Sequence, residues 1–308
     1  MKTNRFILSG ILLLLIFHSV SAVPQMVSKS VDIIISVNAS KQEVKAATQL
    51  SDYLRDVYPG YIFSVKNKIN KDHYSISLGL PGILKPNESI LKEIPDNEEG
   101  FLIRQTNDKN VIILSRSDKG LFNAVYSLLE KLGYGFYLSY DVNPEPKKDL
   151  NFKEWELSDF PLQPARIVFN WHNFVSGCTG WSYEDWRSWI DQSAKMRYNT
   201  IMVHAYGNNP MFSFEYNGLK KLVGNLTTSR SGRDWGAEHV DDIRKLPGGK
   251  IFSSPVLGSE AAMVPDEERG QAAVQLMSKV FQHADEMGMK IIFAVDVDTW
   301  PANPRNIV

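Results

Sequence analysis

The sequence predicts an α/β protein in two parts: a small α/β domain with a mixed sheet, then the first three β/α units of a TIM-type barrel. Two observations carry this prediction. From Val31 to about Tyr140, short β-branched runs alternate with segments whose apolar residues recur at helical spacing. Beyond residue 164, strands that are apolar throughout alternate with amphipathic helices, which is typical of a parallel sheet with covered faces.

The first residues have the pattern of an export signal. Lys2 and Arg5 precede an apolar stretch, and the small residues Val20 and Ala22 stand at the positions expected for cleavage. We therefore predict a signal peptide over residues 1–22 and a secreted or periplasmic protein, with an uncleaved N-terminal anchor as the alternative. The apolar stretch is shorter than the ~20 residues that a transmembrane helix needs, so we expect no stable membrane span after cleavage.

Composition and motifs argue against several classes of function. The formal net charge is −1, and losing Lys2 and Arg5 would make it −3, so no basic excess attracts nucleic acid. The single cysteine, Cys178, cannot form an internal disulfide, and six scattered histidines show no metal-ligand spacing. Motifs for nucleotides, phosphate, a serine nucleophile or catalytic zinc are absent from the sequence. We expect no cofactor, no metal and no nucleic-acid partner.

In the first domain, residues 27–140, local signals mark where elements begin and end. Ser40 followed by Glu43 is a capping box that begins a helix. The helix is expected to end at Pro59-Gly60. Strands are predicted at Val31–Val37, Tyr61–Val65, Tyr74–Leu78, Gly100–Gln105, Val111–Leu114 and Phe136–Leu138.

A second helix of this domain is predicted to begin at Asp118 and to end at Gly133. Residues 141–164 follow it and contain four prolines with little periodicity. We interpret them as a linker or a strap, with the piece around Trp155 packed on one of the two domains.

The second domain, residues 165–308, has strands predicted at Arg166–Trp171, Asn199–Ala205 and Lys290–Asp296. Ser182 with Asp185 caps the helix after the first strand. The helix before the third strand begins at Pro265, and its apolar stripe comprises Val274, Met277, Phe281, Ala284 and Met287. A closed barrel takes eight such units and roughly 250 residues, so we expect an incomplete barrel that lacks its catalytic acid.

Candidate binding residues collect where the barrel strands end, the position at which such barrels carry their function. The side chains at the three strand ends are aromatic, imidazole or carboxylate groups: Trp171, His172, His204, Asp296, Asp298 and Trp300. This mixture suits a sugar, because a pyranose stacks an apolar face on an aromatic ring and offers a rim of hydroxyls for hydrogen bonds.

Each of these residues also has a structural interpretation that stays open. Trp171 is equally well read as a lid on the barrel core, and His204 as a core histidine with satisfied hydrogen bonds. Asp296 and Asp298, which point to the same side of a strand, are either a ligand-binding pair or caps of the following turn.

Several stretches resemble known glycosidases. Residues 99–137, EGFLIRQTNDKNVIILSRSDKGLFNAVYSLLEKLGYGFY, resemble the N-terminal α/β domain that precedes the barrel in family 20 hexosaminidases and family 67 α-glucuronidases. The second domain resembles the start of a family 20-type barrel at PARIVFNWHNF, KMRYNTIMVHAY and ADEMGMKIIFAVDVD. The ending VDVDTWP and the long segment 207–264 depart from the family 20 pattern, so the resemblance is to glycoside hydrolases in general.

The resemblance implies roles for three residues. Arg166 would bind sugar hydroxyls, and His204 and Asp296 would line the same pocket. In family 20 a carboxylic acid protonates the leaving oxygen and the substrate's acetamido group is the nucleophile. The family's Asp-Glu pair follows a fourth strand that this sequence does not contain, so no catalytic residue is assigned.

The function expected from sequence is therefore that of an exported glycoside hydrolase, or its N-terminal portion, acting on a polysaccharide or glycan. A non-catalytic carbohydrate-binding protein and an inactive truncated product are the alternatives. The sugar, the linkage and the oligomeric state stay open.

Overall fold

The computed structural model describes residues 29–169, 178, 181–206, 215–220 and 266–296. These residues form a six-stranded mixed sheet and a three-stranded parallel sheet, and helices pack against each of them. The predicted α/β class with a mixed sheet is confirmed. Closure of the three parallel strands into a barrel stays a prediction.

The first region contributes eight strands. In chain order they are β1 (Lys29–Ile34), β2 (Tyr61–Lys66), β3 (Tyr74–Gly79), β4 (Phe101–Asn107), β5 (Asn110–Ser115), β6 (Gly135–Phe136), β7 (Asp141–Val142) and β8 (Leu157–Asp159). The large sheet has the order β2-β1-β3-β5-β4-β8, and β6 pairs with β7 in a separate hairpin. The first four strands in this order are mutually parallel, whereas β4 runs antiparallel to both of its neighbours.

Two long helices, α1 (Lys41–Val57) and α4 (Asp118–Leu132), bury their apolar stripes on one face of the large sheet. The predicted capping box holds, since the Ser40 side chain accepts from the Glu43 N–H at 3.0 Å and Glu43 Oε2 accepts from the Ser40 N–H at 2.7 Å. Gly133 ends α4 at a φ of +113°, a left-handed conformation that favours glycine.

Two short helices that the sequence did not predict, α2 (Pro81–Leu84) and α3 (Glu88–Glu93), belong to the opposite face of the large sheet. Their apolar residues pack on a small separate cluster made of Ile94, Leu102 and Leu114. This second cluster makes the first region a three-layer α/β structure.

The segment 141–164, predicted as a linker or strap, contributes structure to the first region. It contains β7, a 3₁₀ turn over Phe152–Trp155, and β8, which pairs with β4 at the edge of the large sheet. Trp155 is fully buried, and its indole N–H donates to Tyr58 Oη at 3.4 Å. The chain therefore returns to the first sheet before it enters the second.

The second region is built on three parallel strands, in the spatial order Lys290–Asp296, Thr200–Tyr206, Ile167–Phe169. Its elements in chain order are β9 (Ile167–Phe169), α5 (Tyr183–Lys195), β10 (Thr200–Tyr206), the hairpin β11 (Glu215–Tyr216) and β12 (Leu219–Lys220), α6 (Asp266–Glu286), and β13 (Lys290–Asp296). Ser182 caps α5 with the predicted capping box. Among the described helices, none is both long enough and apolar enough to cross a membrane.

Two predictions about burial in this region are wrong. Val274 is exposed, because the buried stripe of α6 runs through Leu276 and Val280 and leaves Val274 at its border. Ile292 and Phe293, expected in a fully buried strand, are 37% and 38% exposed. Their strand β13 is an outer strand of the described sheet, so a neighbouring strand covers it on one side only.

Candidate functional site

The three strands of the second sheet end at one edge, because all of them run in the same direction. In the register of this sheet, His204 lies opposite Ala294, and Tyr206 lies opposite Asp296. The edge at the carboxyl ends of these strands, which we call the carboxyl edge, therefore brings the His204 and Asp296 positions within two residues of each other.

His204 is the candidate residue whose side chain is described at the carboxyl edge. It is half-buried, and its imidazole meets the Phe169 ring edge to face, with centroids 6.4 Å apart at 80°. The Phe169 side chain, at the end of β9, is 41% exposed. An exposed ring beside an imidazole can stack a sugar face and bond one of its hydroxyls.

Asp296 is the last residue of β13, and its backbone position falls on the same face of the sheet as that of His204. The other candidates of this edge, Trp171, His172, Asp298 and Trp300, lie outside the described residues. Their convergence with His204 and Asp296 stays a prediction.

Arg166 lies at the opposite edge of the same sheet. Its carbonyl accepts from the Asn199 N–H at 3.0 Å, which places it at the start of β10 rather than at its end. His204 lies five positions after Asn199 along the chain, about 16 Å along a strand. The structure therefore does not bring Arg166 together with His204, and a role for Arg166 in binding sugar stays a prediction.

The Arg166 guanidinium is occupied by groups of the chain itself. It donates to the Glu99 carboxylate in a mostly buried ion pair, and also to the carbonyls of Arg197 and Gln163, each at 2.8 Å. Such a fork of charge-assisted bonds fixes the orientation of the side chain. Arg166 thereby ties the amino edge of the small sheet, where its strands begin, to the first region.

Glu99 is the centre of this contact, and no spacing or motif in the sequence pointed to it. Besides Arg166, its carboxylate accepts from Asn123 Nδ2 at 2.9 Å and from Asn199 Nδ2 at 2.6 Å. Burial alone would raise the pKa of Glu99, but the hydrogen bonds from Asn199, Asn123 and Arg166 outweigh it and hold the pKa below its usual range.

Further ion pairs join the two regions. Lys195 at the end of α5 donates to Asp141 Oδ2 at 2.7 Å, and Arg197 lies 2.7 Å from Glu130 Oε2 of α4. The amino edge is thus a dense polar interface between the first region and the second. Among the residues that the structure describes, no group of three His, Cys, Asp or Glu side chains could hold a metal ion.

No family model and no curated protein matches this chain. Among solved structures, it is similar to a GH138 enzyme targeting pectin rhamnogalacturonan II, with 17% identity, 85% of this chain and 24% of that chain covered, and a TM-score of 0.48. It is also similar to the N-acetyl-β-hexosaminidase of Streptomyces plicatus, with 15% identity, coverage of 86% and 41%, and a TM-score of 0.44. A third is a GH115 4-O-methyl-α-glucuronidase with specificity for decorated arabinogalactans, with 11% identity, coverage of 86% and 41%, and a TM-score of 0.41.

The chain spans less than half the length of each of these three structures. With TM-scores below 0.5, these alignments assign neither a family nor a site to it.

Proposed function

We propose that this chain belongs to an exported protein of glycoside hydrolase type and that it binds a sugar ring at the carboxyl edge of its small parallel sheet. The observation that carries the proposal is the pairing of His204 with the exposed ring of Phe169 at that edge. The backbone position of Asp296 beside them adds a carboxylate at the level where such barrels bind their ligands.

The sequence resemblance supports the same assignment. The stretch KMRYNTIMVHAY, which resembles the second barrel strand of family 20 hexosaminidases, ends in the described strand that carries His204. In that role the imidazole bonds a sugar hydroxyl and the Phe169 ring packs on the apolar face of the sugar.

Hydrolysis would require one more group. A general acid must lie within hydrogen-bond reach of the leaving oxygen, and we assign none to the described residues. Following the resemblance to family 20, in which the Asp-Glu pair follows a fourth strand, we propose that this chain binds its glycan without cleaving it and that the acid is not among its residues.

The second candidate function is that of a carbohydrate-binding protein without catalysis. It is favoured by the same observation, since the described part of the carboxyl edge offers a stacking ring and an imidazole but no pair of carboxylates. The two candidates differ only in whether the protein hydrolyses the sugar that it binds.

Two measurements test these proposals on the full 308-residue chain. Binding of a glycan and monosaccharide panel is followed by calorimetry or NMR, and hydrolysis by release from aryl glycosides. We expect binding without hydrolysis, and roughly tenfold weaker binding for His204→Ala and Asp296→Ala, the loss of about one charge-assisted hydrogen bond. Hydrolysis by this chain would contradict the expectation that its acid lies elsewhere.

A matched control comes from His73, a histidine of the first region whose Nδ1 bonds Asp32 Oδ2 at 2.8 Å. His73→Ala should leave glycan affinity unchanged. Equal affinity of the wild type, His204→Ala and Asp296→Ala would remove the carboxyl edge from the binding site, and absence of any binding would end the proposal.

A further inference from the structure

Lys119 is a buried lysine at the contact between the two regions. It is the second residue of α4, and its residue surface is 7% exposed. A Cβ added to Gly288, in the turn between α6 and β13, would lie 3.5 Å from Lys119 Cα. Lys119 therefore stands where the first region meets the start of the small sheet.

The Lys119 amine has no hydrogen-bond partner within the part of the chain that the structure describes, and its Nζ is inaccessible to solvent. Asn123 Oδ1, one helical turn further along α4, is buried and unpartnered in the same sense. A buried ammonium without partners is unfavourable, because it loses its hydration and gains nothing in return.

The charges that face Lys119 are already balanced without it. Glu99, from the loop before β4, pairs with Arg166 at the start of β9. Arg197, from the turn between α5 and β10, pairs with Glu130 of α4. Each of these charges already has a partner, so a proton on Lys119 adds a positive charge that none of them pairs with.

The remaining described neighbours of Lys119 do not pair with its amine. On its own helix, Asp118 accepts a hydrogen bond from Ser40 Oγ of the α1 cap at 2.8 Å, which commits one of its carboxylate oxygens. From the turn before β13, Gly288 presents only backbone.

We propose that Lys119 is a proton-sensitive contact between the two regions. While its amine is neutral, α4 packs against the amino edge of the small sheet. When the amine takes up a proton, the unpaired charge loosens that packing. This inference rests on the contact itself and does not depend on the proposed function.

The electrostatic environment places the change near neutral pH. Burial lowers the pKa of Lys119 from 10.5 to about 7; the Glu99 carboxylate raises it, while the Arg166 and Arg197 charges lower it further. Since the folded pKa lies below the unfolded one, the stabilisation is fully present above about pH 10.5 and is lost as the pH falls through about 7.

Hydrogen exchange of the full chain tests this proposal at the amides of Gly288, Met289 and the first turn of α4. After correction for the intrinsic pH dependence of exchange, their protection should rise roughly tenfold per pH unit between about pH 7.5 and 9.5. Lys119→Met removes the titrating group, so its protection should change less than about twofold over the same range. Lys131→Met, an exposed lysine of the same helix, serves as the control and should behave as the wild type.

A direct titration covers the case in which Lys119→Met does not fold. The ¹³Cε resonance of Lys119 in the wild-type chain should titrate near pH 7. A Lys119 resonance that titrates only above about pH 10 would overturn the proposal. The proposal would also be overturned if the protection of the wild type did not change with pH. The same holds if Lys119→Met kept the pH dependence of the wild type.

Discussion

The two edges of the small parallel sheet differ in how their polar groups are used. At the amino edge, Arg166, Asn199 and Glu99 are buried or nearly so and bind one another. At the carboxyl edge, His204 is half-buried beside an exposed phenylalanine ring. Within the described residues, one sheet therefore carries a closed polar interface at one end and an exposed aromatic ring at the other.

This difference predicts that substitutions at the two edges affect different properties, namely stability at one edge and ligand binding at the other. A polar group whose hydrogen bonds are all made within the chain orients the structure around it and has little capacity left for a ligand. At Arg166, three of the five guanidinium N–H donors are committed in this way, to Arg197, Gln163 and Glu99. Substitutions at the amino edge should therefore change stability, and substitutions at the carboxyl edge should change glycan affinity.

The largest effect is expected from Glu99→Ala, which removes the carboxylate that pairs with Arg166 and accepts from two amide groups. Removing one partner of a buried pair costs about 3–5 kcal/mol in the free energy of unfolding. Glu93→Ala is the matched control, because Glu93 pairs with Arg104 in an exposed position and should contribute about 0–1 kcal/mol. Urea unfolding of both variants measures the difference. Similar losses in the two would show that the amino edge is not a closed interface.

The same substitution has a pH dependence of known sign. Because the pKa of Glu99 is held below its usual range, the stabilisation is present above its ordinary value of 4.5 and is lost as the pH falls through the lowered pKa. The stability difference between wild type and Glu99→Ala should therefore shrink in acid. Urea midpoints measured from neutral to acidic pH test this, and a difference that grows in acid would contradict the assignment of the pKa.

Asn199→Ala should come next, at about 2 kcal/mol or somewhat more. Asn199 Nδ2 donates to Glu99 and to the Pro164 carbonyl, and its Oδ1 accepts from the Arg166 N–H at 3.0 Å. Each partner that is left buried and unpaired costs about 1–3 kcal/mol, with part of that recovered by relaxation. Asn70→Ala provides the amide control, because Asn70 is exposed and makes only exposed hydrogen bonds. A loss below about 0.5 kcal/mol would mean that solvent replaces these bonds.

Local signals in the sequence predicted most elements of both regions. The helix caps act on backbone groups within a few residues, so residue spacing alone predicts their effect. Examples are Ser40 with Glu43, Ser182 with Asp185, and Gly133. The short strand β8 was missed, because its pairing with β4 joins residues more than fifty positions apart and no local pattern encodes it.

The amino edge was beyond sequence reasoning for the same reason. Glu99 and Arg166 are 67 residues apart, so no local pattern in the sequence pairs them. The carboxyl edge was easier to predict, because the carboxyl ends of parallel strands lie at the same edge of the sheet whatever the conformation of the loops. The topology of the sheet thus predicted where His204 lies, whereas the contact between Glu99 and Arg166 could be found only in the structure.

A smaller effect is expected from Gly288→Ala at the amino edge. Gly288 has a φ of +66°, a left-handed conformation in which an L-residue costs about 1–2 kcal/mol. The added Cβ meets Lys119 only at ordinary contact distance, so backbone strain rather than a clash sets the loss. Thermal unfolding measures it, with Gly82→Ala as a control, since open space surrounds Gly82 and its φ is not positive. A higher unfolding temperature for Gly288→Ala than for the wild type would contradict the expected backbone strain.

The smallest change in stability is expected at the carboxyl edge itself. His204→Gln keeps a hydrogen-bonding side chain and removes the ring that meets Phe169, a contact worth about 0.5–1.5 kcal/mol at most. The free energy of unfolding should fall by less than about 1 kcal/mol, while affinity for the glycan weakens. Urea unfolding and glycan titration on the same preparation separate these effects. A large loss of stability with unchanged affinity would identify His204 as a core histidine and reverse the contrast between the two edges.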